Sequence, residues 1–248
     1  MSVATMLQRR MGRRRLHALP VRPRHVGVVV DGNRRWSKAA GYTDSSVGHK
    51  VGAERVGDLL GWAETAGIEH VTVYLLSADN LRERPPHELA GLHTVLRQVL
   101  PRAIERAGSW RVHLSGDPRL LPEEVAHDLR AARERTSSRP RHVTLAVGYD
   151  GRQDIVDGVR AALLRAPGSA DIAALDADQI TAALPGGPVK DIDLVIRSSG
   201  EQRLSGFCPW QTQGAEIYLS PKLWPAFARR DFAAALAHFA AARGRQAG

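Results

Sequence analysis

The sequence has one cysteine and no long apolar run, and each of these features excludes some classes of protein. Cys208 cannot form an intramolecular disulfide or join a multi-cysteine zinc site, so we predict a small, partly buried thiol. No apolar stretch approaches the roughly 18 residues that cross a bilayer. Arg9 and Arg10 are not followed by the apolar region of a secretory signal. We therefore expect a cytoplasmic protein.

Acidic residues are missing from residues 1–24, and this segment accounts for most of the formal net charge of +9. Removing its seven arginines from the 35 basic residues leaves 28, against 26 acidic residues. We predict a basic, flexible arm over 1–24 and one nearly neutral globular domain over 25–248. Such an arm can contact anionic lipid headgroups or RNA. Because no aromatic platform or RNA-recognition motif accompanies it, we expect no nucleic-acid partner and keep peripheral membrane contact as the alternative.

Short runs rich in β-branched residues alternate with stretches of helical periodicity along the chain. Strands are predicted over 25–30, 70–77, 111–115, 142–148, 193–199 and 216–220. Helices are predicted over 46–66, 86–107 with a kink at Pro101, 122–137, 151–165 and 226–244. The segment 167–190 is predicted to be a surface connection with one small helix. Because continuous apolar strands are covered on both faces, the pattern predicts a single α/β domain with a central, mostly parallel six-stranded sheet flanked by helices.

The first predicted strand runs into a polar cluster, since VVVDGNRRW over 28–36 ends in a carboxylate, a glycine and two arginines. In an open parallel sheet, ligands bind beyond the carboxyl ends of the strands. Arg34 and Arg35 suit phosphate oxygens, and Gly32 and Asn33 permit a tight turn. A carboxylate beside phosphate needs a cation between them, so Asp31 points to Mg²⁺ and a diphosphate.

A second cluster, RSSGEQRLSGF over 197–207, follows another predicted strand. Arg197 and Arg203 supply forked donors, and Ser205 supplies a hydroxyl. Two phosphate-binding clusters indicate two phosphorylated substrates. Glu216 opens the next strand and would complete a metal site with Asp31 if the fold brings the two carboxylates close.

A third segment, YLLSADNLRERP over 74–85, leaves an apolar strand with Ser77, Asn80 and Arg84 at its polar end. Its apolar stem and polar tip predict a site that is ionic at one end and hydrocarbon at the other. An ordinary core strand with a polar exit is the competing interpretation.

These segments, together with GHKVGAERV and WQTQGAEIYLSPKLWPAF, resemble the successive signature motifs of the cis-prenyltransferases, the family of undecaprenyl diphosphate synthase. The resemblance covers residues 25–227 in the family's order. It implies a homodimeric parallel-sheet fold with a hydrophobic tunnel. The implied reaction is the Mg²⁺-dependent condensation of isopentenyl diphosphate with an allylic diphosphate in the cis configuration.

The resemblance also implies a role for individual residues. Asp31 is implied to be the essential metal-binding carboxylate, with Glu216 as the second carboxylate near the metal. Arg197, Arg203 and Ser205 match the ligands of isopentenyl diphosphate. The motif over 32–35 is implied to cradle the allylic diphosphate, and Trp36 to lie near its chain. The positions implied to lie close to the reacting groups are His49, Ser77, Asn80 and Arg84, of which His49 and Asn80 join Asp31 as the catalytic set.

Several positions depart from the family pattern, among them Asp44 and Ser45 where an arginine is common and Leu81 where a tryptophan is common. These departures leave the carboxylates in place but put one contact to the allylic phosphate in doubt. Long-chain members carry a small residue at the position of Leu75, and a packed interior cannot absorb that bulk without strain. The chain also resembles the short-chain actinobacterial members of the family, and with Leu75 this resemblance implies a short-chain product, (2Z,6E)-farnesyl diphosphate, made from geranyl diphosphate.

Other interpretations stay open at this point. A longer-chain synthase would make a polyprenyl carrier lipid, and a non-catalytic partner subunit would be expected to lack Asp31. A nucleotide-binding Rossmann protein would need a G-x-G-x-x-G motif after the first strand, which the sequence lacks. Both Asp31 and a substrate phosphate can accept the proton that the reaction releases.

Overall fold

The structure, a computed structural model, describes residues 21–165, 168 and 172–246. Its centre is a six-stranded sheet with the strand order β3-β4-β2-β1-β5-β6. Every pair of neighbouring strands is parallel. The predicted fold class is confirmed, and the sheet is wholly rather than mostly parallel. Its strands are β1 (His25–Val29), β2 (His70–Ser77), β3 (Trp110–Ser115), β4 (Arg141–Tyr149), β5 (Leu194–Arg197) and β6 (Glu216–Leu219).

Helices cover both faces of the sheet. The helices of the described residues are α1 (Asn33–Ala39), α2 (Ser46–Thr65), α3 (Ala78–Glu83), α4 (Pro86–Thr94), α5 (Leu100–Ala107), α6 (Glu123–Arg135), α7 (Gly151–Arg165), α8 (Ala177–Ala183) and α9 (Arg229–Gln246). Alternate residues of β1 belong to different cores, since Val28 packs in a large cluster and Val29 in a smaller one. This alternation explains why the strand is apolar throughout.

The predicted helix over 86–107 contains a change in winding. Residues Val95–Val99 form a π-helical turn between α4 and α5, and the Leu100 N–H donates to the Val95 carbonyl. Pro101 follows directly and has no N–H to donate, so the regular hydrogen-bond ladder cannot pass through it. The chain accommodates the proline by widening the turn before it, and the predicted kink stays a prediction.

Four histidines gather at the amino edge of the sheet, opposite the ends where the polar motifs lie: His25, His70, His113 and His142. The rings of His25 and His70 stack with their centroids 3.9 Å apart. His25 Nε2 lies 2.8 Å from the Thr72 hydroxyl. Burial lowers the pKa of His25 to about 3, so the ring is neutral at physiological pH.

Only the end of the predicted arm falls within the described residues, since residues 1–20 lie outside them. Arg24 forms an ion pair with Glu69 at 3.0 Å, and its backbone N–H donates to Asp193 at 2.7 Å. These contacts tie the start of β1 to the amino edge of the sheet. The boundary at residue 24 stays a prediction. Among the helices of the described residues, none is both long and apolar enough to span a bilayer.

Candidate active site

A pocket of about 1120 Å³ opens at the carboxyl edge of the sheet. Its wall is built from the ends of β1, β2, β4 and β5 and from the loops that follow them. The fold therefore brings the three polar segments of the sequence to one place. The predicted site residues that line the pocket are Asp31, Gly32, Asn33, Arg34, Arg35, His49, Leu75, Ser77, Asn80, Arg84, Arg197, Arg203 and Ser205.

Asp31 lies at the rim, in the turn between β1 and α1. Its backbone N–H donates to the Ser198 hydroxyl at 2.8 Å, and its carboxylate accepts from Arg197 Nη2 at 3.1 Å. Gly32 has a φ of 96°, and a Cβ there would lie 2.7 Å from Leu223 Cδ2. Because only glycine fits this left-handed, crowded position, the chain can turn from β1 directly into α1. The carboxylate keeps 40 % of its side chain exposed and can meet a ligand.

Asn33 is held by the close approach of α2. A Cβ on Gly52 would lie 2.3 Å from Asn33 Oδ1, and one on Gly48 would lie 2.2 Å from the Asn33 carbonyl. The two glycines, spaced four apart, therefore let the α2 backbone pack against the start of α1. Asn33 Nδ2 donates to the Val30 carbonyl at 3.2 Å, while its buried Oδ1 has no hydrogen-bond partner among the described residues.

The loop after β5 is conformationally strained. Within the described residues, the non-glycine residues with positive φ are Ser199 at 80°, Ser205 at 51° and Cys208 at 44°, and all three lie in this loop. Such conformations cost free energy and persist only where surrounding contacts enforce them. The Ser199 N–H donates to the Lys222 carbonyl at 2.7 Å, and the Ser205 hydroxyl accepts from Arg197 Nη1 at 3.1 Å.

A chain of ion pairs joins the two arginine clusters. Arg35 lies 3.9 Å from the Asp31 carboxylate and 3.8 Å from that of Glu201. Arg203 pairs with Glu201 at 3.0 Å. Arg197, which pairs with Asp31, exposes only 4 % of its side chain. The exposed pairs at the rim contribute little stability, so diphosphate oxygens can replace these carboxylates as partners of the arginines at low cost.

The third segment forms a ladder of polar contacts. The Ser77 hydroxyl accepts from the Asn80 backbone N–H at 3.0 Å and caps α3. Asn80 Oδ1 accepts from Arg84 Nε at 3.2 Å. Arg84 Nη1 donates to Glu88 at 2.8 Å and lies 3.5 Å from His49 Nε2. Burial, followed by the charge of Arg84, lowers the pKa of His49 to about 4, so this ring is neutral at pH 7.

A second, apolar cavity of about 40 Å³ adjoins the pocket. Leu75 and His49 belong to the walls of both the pocket and the cavity. The pairing of β2 with β4 shifts register on either side of Leu76. Because this bulge breaks the normal alternation, consecutive Leu75 and Leu76 both face the cavity. The remaining wall includes Leu92, Val95, Leu96, Leu100 and Trp224. The described residues form this small apolar cavity at the base of the pocket, and the hydrophobic tunnel stays a prediction.

Two predicted residues lie elsewhere. Trp36 is not part of either wall among the described residues, and its ring stacks on Tyr42 with centroids 6.2 Å apart. Glu216 is in register with Leu194 at the amino end of β5, whereas Asp31 follows the carboxyl end of β1. At about 3.3 Å per residue, five residues along the strand direction separate the two by roughly 16 Å. Within one chain, therefore, Glu216 lies too far from Asp31 for both carboxylates to bind one metal ion, and the role of Glu216 as a metal ligand stays a prediction.

The sequence interpretation missed other parts of the wall. Asp150, in the turn after β4, and Arg152, in the first turn of α7, line the pocket. The rule that ligands bind at carboxyl ends of parallel strands could have identified this turn, because a predicted strand and helix flank it. Glu88, which lies behind the wall and pairs with Arg84, was also missed, although a carboxylate four residues after an arginine is a common spacing for an ion pair.

Fold and pocket together define an α/β protein with an arginine-rich, anion-binding type of pocket at the carboxyl edge of its sheet. A prenyltransferase family model, described as putative undecaprenyl diphosphate synthase, matches residues 29–248. The chain belongs to this family, and the resemblance drawn from the motifs is confirmed.

Relatives and solved structures agree with this assignment. The chain is 43 % identical over 226 residues to a (2Z,6E)-farnesyl diphosphate synthase of Mycolicibacterium smegmatis, covering 88 % of this chain and 86 % of the relative. It is 46 % identical over 220 residues to a short-chain Z-isoprenyl diphosphate synthase of Mycobacterium leprae, covering 86 % and 84 %. The crystal structure of lavandulyl diphosphate synthase from Lavandula x intermedia in complex with dimethylallyl diphosphate matches with a TM-score of 0.78 and 30 % identity, covering 88 % of this chain and 95 % of that one.

Proposed function

We propose that this protein condenses isopentenyl diphosphate with geranyl diphosphate and releases (2Z,6E)-farnesyl diphosphate. The observation that carries the proposal is the junction of an arginine-rich pocket with a small apolar cavity, at which Leu75 lines both. Substrates with a diphosphate head and a hydrocarbon tail match this arrangement. The names of the mycobacterial relatives support the same reaction and the same product length.

The two arginine clusters divide the work between the two diphosphates. Arg34 and Arg35 at the start of α1 bind the allylic diphosphate, and Arg197 and Arg203 bind isopentenyl diphosphate. The Arg35–Glu201 contact at 3.8 Å places the clusters side by side at the rim. This arrangement holds the two substrates next to each other, which removes much of the entropic barrier to their reaction.

In the reaction, the bond between C1 of the allylic chain and its diphosphate breaks, and C4 of isopentenyl diphosphate forms a bond to that carbon. A proton leaves C2 of the isopentenyl unit to an oxygen base at the rim. Negative charge grows on the departing diphosphate in the transition state. Arg34, Arg35 and Arg84 are already directed into the pocket, so their guanidinium groups stabilise that charge without large reorganisation.

Mg²⁺ is the proposed cofactor, and Asp31 is the residue that would hold it. Within the described residues, no three His, Cys, Asp or Glu side chains converge to form a complete metal cage. One half-exposed carboxylate beside a diphosphate pocket suits Mg²⁺, which commonly takes one or two carboxylates together with substrate phosphates and water. When bound, the ion supplies further charge neutralisation on the diphosphate.

We further propose that the protein acts as a homodimer in the cytoplasm. Edge strand β6 exposes Ile217 by 45 % and Leu219 by 40 %, and an apolar sheet edge of this kind favours pairing with a second copy. The arginines of residues 1–24 would add contact with anionic lipid headgroups.

The function is tested by incubating the purified protein with geranyl diphosphate, labelled isopentenyl diphosphate and Mg²⁺, and sizing the products after dephosphorylation. A C15 product with a cis bond, lost on addition of EDTA and restored by excess Mg²⁺, is the expected result. Products of ten or more isoprene units would refute the short-chain proposal. A folded chain without any turnover would instead indicate a non-catalytic partner subunit.

A further inference from the structure

A buried carboxylate lies behind the pocket wall. The Glu88 side chain is only 8 % exposed and is not itself part of the wall. It contacts three groups that are: Arg84 at 2.8 Å, Arg34 at 3.5 Å and His49 at 3.8 Å. One carboxylate on α4 therefore touches residues of α1, α2 and the turn before α4.

Such a carboxylate is costly to bury unless cations compensate it. Here the compensating cations are Arg34 and Arg84. If either arginine moved away, the Glu88 carboxylate would remain buried with less compensating charge. Arg84 is the more confined of the two, with 15 % of its side chain exposed against 59 % for Arg34. Glu88 thus holds one arginine firmly and the other loosely.

The direction of Arg84 follows from these contacts. Its Nε donates to Asn80 Oδ1 at 3.2 Å, and its Nη1 donates to Glu88. A guanidinium group has five N–H donors in a fixed plane, so two bonds on the wall side orient the rest of the fork. Because Arg84 lines the pocket, that fork is aimed at a ligand before the ligand arrives.

We propose that Glu88 is a positioning residue for the allylic diphosphate, acting through Arg84 and Arg34; this inference rests on the proposed function. Glu88 differs in this from Asp31, which pairs with Arg197 but lines the pocket and can itself meet the ligand. Glu88 stays behind the wall and does not compete with the phosphate oxygens. Its contribution is confined to one substrate, since Arg197 and Arg203 pair with other carboxylates.

The test is the affinity of Glu88→Gln for geranyl diphosphate, measured by calorimetry without isopentenyl diphosphate so that no turnover occurs. The amide keeps the shape but loses the charge that holds the two arginines. We expect the Kd for geranyl diphosphate to rise about tenfold or more, the usual effect of losing a charge-assisted hydrogen bond. The Kd for isopentenyl diphosphate should stay within about twofold, and Glu88→Asp should restore part of the loss.

Glu83→Gln is the matched control, because Glu83 is an exposed carboxylate five residues earlier and should leave both affinities unchanged. In an Arg84→Gln background, the effect of Glu88→Gln should shrink, since its main partner is gone. A thermal unfolding curve reports whether each variant is folded. If Glu88→Gln does not fold, Glu88→Asp decides the question, with a smaller rise expected for geranyl diphosphate alone.

Three results would overturn the inference: an unchanged Kd for geranyl diphosphate, a tighter Kd, or an equal loss for both substrates. The last of these would indicate a purely structural role. The binding measurements separate this inference from the proposed function. A wild-type chain that binds geranyl diphosphate but makes no product would refute the function, while the comparison with Glu88→Gln would still decide the role of Glu88.

Discussion

Replacing Leu75 by alanine should lengthen the product by one isoprene unit. Leu75 lies where the pocket meets the apolar cavity, so truncation removes three side-chain carbons from the boundary. The adjoining cavity has a volume of about 40 Å³, slightly more than the ~30 Å³ that one water molecule occupies in the liquid. Together they make room for about five carbons, the size of one isoprene unit.

The free energy favours use of this space. Burying five more carbons gains on the order of 4 kcal/mol at about 0.8 kcal/mol per methylene. Leu75 is only half-buried, so its truncation should destabilise the fold by less than the ~3–5 kcal/mol found for fully buried leucines. The variant should therefore fold, remain active and shift its main product from C15 to C20.

The assay uses geranyl diphosphate with labelled isopentenyl diphosphate, followed by dephosphorylation and chromatography against alcohol standards. Leu89→Ala is the matched control. Leu89 is also half-buried and packs against the core, but it does not line either cavity. The steric argument fails if folded, active Leu75→Ala still makes only the C15 product, or if Leu89→Ala lengthens the product equally.

Three further predictions concern the metal, the packing of the site and pH. Asp31→Asn should lower turnover by at least about 10²-fold in a kinetic assay while the chain still folds, because the side chain is 40 % exposed and the amide oxygen can still accept from Arg197. Gly52→Ala should lower kcat about tenfold or more in the same assay, because the added Cβ would lie 2.3 Å from Asn33 Oδ1 and displace that side chain. Gly61→Ala on the same helix is the control, since its added Cβ meets open space. It should leave activity unchanged and raise the free energy of unfolding by up to about 1 kcal/mol. Burial lowers the pKa of His25 from 6.5 to about 3, so below about pH 6.5 the unfolded chain binds a proton at this residue and the folded chain does not. The free energy of unfolding, measured with urea, should therefore fall by about 2 kcal/mol from this residue between pH 7 and pH 5.

Each of these predictions would be contradicted by a specific result. Substantial synthesis by the asparagine variant would exclude the metal role of its carboxylate, and equal kinetics for the two glycine variants would exclude the packing argument. Paired carboxylates also lose stability at low pH, so the histidine prediction concerns the difference between wild type and His25→Asn. Equal pH slopes for these two proteins would contradict it.

Sequence periodicity was sufficient for the strands and most helices. The apolar runs over 70–77 and 142–148 became β2 and β4 almost without change, because burial on both faces leaves a local signature in the residues themselves. The short helices α1 and α3 were not predicted. Each has too few residues for a periodic stripe and begins shortly after the end of a strand, where caps and tertiary contacts decide its winding.

The chemistry of the site could also be predicted from the sequence. Carboxylate, arginine and serine clusters after predicted strands indicated diphosphates and Mg²⁺, since the topology of a parallel sheet collects such ends at one edge. Local sequence could not reveal which side chains would meet. Asp31 and Glu216 belong to opposite edges because strand register, a property of pairing between distant segments, assigns each residue its level in the sheet.

Only the tertiary structure decided the details that distinguish this pocket. The bulge that turns both Leu75 and Leu76 toward the cavity depends on how β2 pairs with β4, and the burial of Glu88 behind three cationic or imidazole side chains depends on α1, α2 and α4 meeting. Sequence determines such features through contacts between residues far apart in the chain. Their physical cause is therefore packing, which no local pattern records.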